Sequence, residues 1–142
     1  MAWDKPVLLV GQYTASSDYN DAADQFCAVR LTTSLTLVKT AGSTKPALGI
    51  LYDRPSSGVA GQVAVMGVVK ARVLSTAHTA IVAGSKLAPG ASGGIVPSTV
   101  AGHYILGRSM DTLAANTAGI ITMLITHEGL HGTTGSVGLG DA

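Results

Sequence analysis

The chain has 142 residues, enough for one domain with a real core, and only 12% of them are charged, about half the usual share. The net charge is +1, and nine Lys and Arg scattered singly make no stripe that could follow a phosphate backbone, so nucleic acid is not an expected partner. Apolar residues stand at 46%, which leaves a surface of Ser, Thr, Gly, Ala and backbone, part of it expected to be covered by other chains.

The N-terminus, MAWDKPVLLVGQ, has a short apolar stretch after Asp4 and Lys5, too brief for the core of a signal peptide. No later run approaches the roughly eighteen apolar residues of a membrane span. Neither export nor membrane insertion is expected. Residues 6–10 read as a strand and residues 14–24 as a polar linker, so residues 1–24 are expected to form an N-terminal arm. Within that linker Asp18, Asn20, Asp21 and Asp24 suggest calcium. An EF-hand register fails, however, because Val29 falls where the bidentate Glu belongs, and a turn with Asp21 or Asn20 capping one helical turn is expected instead.

Short apolar runs then recur between Gly, Pro, Ser and Asp at residues 25–31, 35–39, 47–52, 62–74, 86–87, 94–96, 104–108 and 119–126, the rhythm of an all-β fold. Helical periodicity is nearly absent. The fold expected is a small Gly-rich β-barrel or sandwich of short antiparallel strands over residues 25–126, followed by a flexible Gly-rich tail, residues 127–142. Cys27 lies in the apolar run FCAV and reads as a buried, inert thiol in a reducing compartment. Gly67 interrupts the longest strand, where a glycine marks a bulge or a bend.

Two strings imitate catalytic motifs. HEGLH, residues 127–131, fits the HExxH of zinc proteases, whose chemistry needs both His on one helix face. A β-branched run precedes it, and the glycines that follow would each cost a helix about 1 kcal/mol, so a strand end is expected. GASGG, residues 90–94, fits the GxSxG nucleophile elbow, and Ser92, Asp111 and His127 even follow in triad order. Its flanks, APG and IVP, describe a turn between two short strands. The similarity to the GDSGG of chymotrypsin-like proteases fails as well, since no Asp lies between His78 and Ser92. His78 and His103 read as structural or surface residues. No catalytic residue, metal ligand or cofactor site is expected.

One internal echo stands out. Gly49, Gly61 and the strand QVAVM are matched, fifty-eight residues later, by Gly107, Gly119 and IITML. Two such units would make half-barrels that close on each other.

The series LGI (48–50), GQVAVMGVV (61–69), AIVAGSKL (80–87), GIVP (94–97), ILGR (105–108) and GIITMLI (119–125) resembles small capsid decoration proteins of tailed phages, also called cement proteins. The resemblance covers roughly residues 25–126 and rests on turn chemistry and strand pattern. The tail after Thr126 does not match. It implies a virion protein made in the bacterial host cytoplasm that docks as a homotrimer on the outer face of the expanded capsid, at threefold and local threefold positions. Its partners would be the major capsid protein and further copies of itself. Trp3, Val7, Leu8, Leu9 and Val10 could add a strand to a neighbour's open sheet edge. The same residues could equally form an edge strand of their own domain. The alternatives are a small ligand-binding or virion-associated β-barrel module, for which aromatics are too few and unclustered, and a minimal zinc hydrolase built on HEGLH.

Overall fold

The computed structural model describes residues 5–132, with residues 5–7 described by backbone only. The chain is all-β. Its strands are β1 (Lys5–Val10), β2 (Thr14–Ala15), β3 (Ala28–Leu31), β4 (Thr36–Lys39), β5 (Gly49–Leu51), β6 (Val63–Val73), β7 (Lys86–Pro89), β8 (Ile95–Pro97), β9 (Tyr104–Ser109) and β10 (Gly119–Leu130). Two short 3-10 turns, Ala22–Asp24 and Ala91–Gly93, complete the list among the described residues.

The strands form one sheet in the order β2-β4-β3-β5-β6-β10-β9-β7-β8, with β1 attached to β6. Once β2 is set aside, this order reads the same from either end if β3 to β6 are matched with β7 to β10. The matched strands hold equivalent positions of the fifty-eight-residue echo: Ala28 opens β3 and Lys86 opens β7, while Gly49 opens β5 and Gly107 lies within β9. At the centre Gly67 faces Ile125, two positions themselves fifty-eight apart, so the halves meet about a local two-fold relation. The halves join side by side through β6 and β10, and the path ends in β2 and β8. All pairings are antiparallel except that of β2 with β4.

Alternation explains the core. After Gly67, the odd residues of β6, Val69, Ala71 and Val73, turn inward with Ile121 and Met123 of β10, while the even residues turn outward. A second cluster of Val29, Leu37, Leu51, Val63, Ala15 and Tyr19 fills the β2–β6 half. Cys27 is fully buried, and desolvation raises its thiol pKa, which leaves it a poor nucleophile.

Differences from the expected elements have local causes. The strand expected at 25–31 starts at Ala28, because Phe26 has φ 68° and the Arg72 guanidinium donates to the carbonyls of Gln25 and Ala22. These bonds hold that stretch as a bend. β2 falls in the stretch read as polar linker, where two residues are too few to show a period. Asp21 does cap the turn Ala22–Asp24, and Asp24 does not sit free in solvent but pairs with Lys39. The strand expected to end at Thr126 continues to Leu130 through a bulge in which His127 and Gly129 both take positive φ.

A candidate interaction face on the central strands

The motif strings come first. HEGLH lies within β10, and its side chains diverge. His127 Nε2 donates to the Val65 carbonyl at 2.9 Å while its Nδ1 meets the Tyr104 hydroxyl at 2.7 Å, and burial raises the pKa of that tyrosine. Glu128 takes both its oxygens to Arg108, at 2.7 and 2.9 Å, and His131 faces Lys86. Val65 is the residue that the β1–β6 register skips, and its carbonyl accepts from His127. GASGG forms the turn between β7 and β8, which pair antiparallel. Ser92 sits there at φ 55° and meets no histidine or carboxylate among the described residues. Asp111 accepts from the Thr112 backbone. His78 lies between the carbonyls of Thr79 and Thr117, at 2.6 and 2.7 Å, and His103 bonds Ser98. No three metal-ligating side chains converge among the described residues.

What the fold does build is an apolar outer face. β1 lies antiparallel on the first half of β6, in its own sheet, with Leu8 opposite Met66. Beside them Leu124 of β10 faces Val68. Leu8 is 48%, Met66 52% and Leu124 39% exposed, fractions well above those of a sheet face turned to a core. Leu9 is also exposed, and Val10 is half-buried. Trp3 lies outside the described residues, and nothing is described of the Val7 side chain.

Charge borders the patch. Along β6 the outward positions change from Met66 and Val68 to Lys70 and Arg72, and across β10 the neighbour of Leu124 is Arg108, locked to Glu128. The paired hydrogen bonds from Arg108 hold the Glu128 carboxyl below its ordinary pKa. An apolar centre inside a charged rim is the usual anatomy of a protein-binding surface. Of this face only the β1 residues were expected from the sequence. Met66, Val68 and Leu124 were not, although their signal was present: the outward positions of VAVMGVVKARV are apolar up to Gly67 and just beyond it.

No family model and no curated protein matches the sequence. Among solved structures the chain is similar to the head fiber gp8.5 N base of bacteriophage phi29, with a TM-score of 0.59 over 84% of this chain and 96% of that one, at 15% identity. The two share a fold. The likeness spans nearly the whole of the phage base, so it embraces both matched halves of the sheet.

Proposed function

We propose that this chain is a structural protein of a phage virion, which docks on the outer surface of the capsid and stabilises the expanded head. The observation that carries the reading is the shared fold with a phage head fiber base. The decoration-protein resemblance of residues 25–126 and the apolar face on β1, β6 and β10 support it from two other sides. The mechanism is adhesion without catalysis. The chain acts as a trimer at threefold and local threefold positions, each trimer bridging neighbouring capsid subunits. Because many sites on one particle are filled, modest interfaces add up to resistance against internal DNA pressure. Leu8, Leu9, Met66 and Leu124 supply the contact, and the open edge of β1 can accept a strand from the capsid.

Purified protein mixed with expanded heads of the encoding phage, prepared without this protein, tests the reading by co-sedimentation. Saturable binding in multiples of three copies per site supports it. Absence of binding to expanded heads overturns it.

A further inference from the structure

Most cations of the described residues are engaged. Lys39 pairs with Asp24 and Arg108 with Glu128, Arg72 donates to two carbonyls, Lys70 lies over the Phe26 ring and Lys86 meets His131. Of the cations whose side chains are described, three are left: Arg30, Lys45 and Arg54 meet no carboxylate, acceptor or ring among the described residues. Two of the three, Arg30 on β3 and Lys45 in the β4–β5 loop, line one pocket of about 200 Å³. Its remaining walls are Thr40, Ala41, Gly42 and Thr44, with no carboxylate. A volume of that size admits one small anionic group, and the pocket concentrates two positive charges on it.

The loop carrying Lys45 is held in place before any ligand arrives. Thr40 donates from its backbone to Ala28 and from its hydroxyl to Gly90, and its carbonyl accepts from Gly93. Ser43 donates to the Pro89 carbonyl and accepts from the Tyr104 amide, both at 2.6 Å. The loop is thus stapled to the opposite half of the sheet at Thr40 and Ser43, so binding there need not order it first.

The neighbouring surface says which anion. Arg30 and Lys45 also line a shallow shelf formed with Leu31, Pro46 and Leu48. A free phosphate or a nucleic-acid backbone has nothing to place on that shelf. A polypeptide does. We infer that the pocket between β3 and the β4–β5 loop binds an acidic side chain of a neighbouring protein, with an adjacent apolar residue of the same segment seated on Leu31, Pro46 and Leu48. The proposal does not rest on the capsid reading, since it concerns a different surface and needs only the two unpaired cations.

Amide and arginine side-chain NMR spectra of the full chain test it, with three probes: the blocked dipeptide Leu-Glu, the blocked dipeptide Leu-Gln, and inorganic phosphate. Saturating shifts of Arg30, Gly42, Thr44 and Lys45 with Leu-Glu are expected, weaker by about tenfold or more with Leu-Gln and in the double variant Arg30→Gln, Lys45→Gln. Gly42→Asp supplies a second variant. Apart from its chain neighbours, no heavy atom lies within 4 Å of where its Cβ would stand, and a carboxylate on this pocket wall is expected to compete for the two cations and abolish the shifts. Equal response to Leu-Glu and Leu-Gln overturns the proposal, as does the lack of saturating shifts at these residues. Saturation by phosphate as tight as that by Leu-Glu overturns the peptide part and leaves a plain anion site.

Discussion

Gly49 and Gly107 stand at matched positions of the fifty-eight-residue echo, each pressed against the returning strand so that a Cβ would collide with a backbone carbonyl, that of Ala64 for the first and of Leu124 for the second. Neither glycine has a positive φ, so the requirement is closeness of approach and not backbone conformation. Backbone cannot swing aside as a side chain can. Gly49→Ala and Gly107→Ala are each expected to cost about 2–4 kcal/mol in urea denaturation, at the upper end of overpacking effects. Gly42→Ala, in open space, is expected to stay within about 0.5 kcal/mol. Equal, small effects at all three positions would contradict the matched-halves description.

Much of this fold was legible because strand period and turn residues are local signals. Nine of the ten strands fall where alternation and Gly or Pro breaks put them, and the fifty-eight-residue echo turned out to align the strands of both halves. What the pattern did not carry was long-range. The closing of the β6–β10 pair around Gly67 and Ile125 decides that the halves lie side by side, and no residue near either position announces its partner. The candidate face was legible in its β1 part alone, since an outward Met66 becomes part of a patch only when Leu8 and Leu124 arrive beside it.

His127 offers a second prediction. It donates to the carbonyl of Val65, the residue that the β1–β6 register skips, so His127→Ala is expected to cost about 1 kcal/mol by urea denaturation, the net worth of one hydrogen bond. His131→Ala, which removes a contact to Lys86 near the surface, is expected to cost less than about 0.5 kcal/mol. Elemental analysis of the purified chain should find no stoichiometric zinc. Zinc at one per chain, lost in the double variant, would contradict the description of HEGLH as a strand with diverging side chains.

A third prediction concerns acid. Arg108 holds the folded-state pKa of Glu128 below its ordinary value of 4.5, so the stabilisation is present above about 4.5 and is lost as pH falls through the folded value. The side chains remain 38% and 24% exposed, which limits the pair to about 1 kcal/mol or less. The difference in urea midpoint between the parent chain and Glu128→Gln should therefore be constant near neutral pH and shrink below pH 4.5. A difference that grows on acidification would contradict this assignment.

The most direct test of the central proposal is to alter the apolar face without altering the fold. Met66→Lys and Leu124→Lys place a charge where each side chain already meets solvent, so the double variant should unfold within about 1 kcal/mol of the parent chain. In co-sedimentation with expanded heads of the encoding phage lacking this protein, the parent chain is expected to bind saturably and the folded double variant to bind at least tenfold more weakly. A double variant that retains its fold and decorates the heads as fully as the parent would contradict the assignment of β1, β6 and β10 as the docking face.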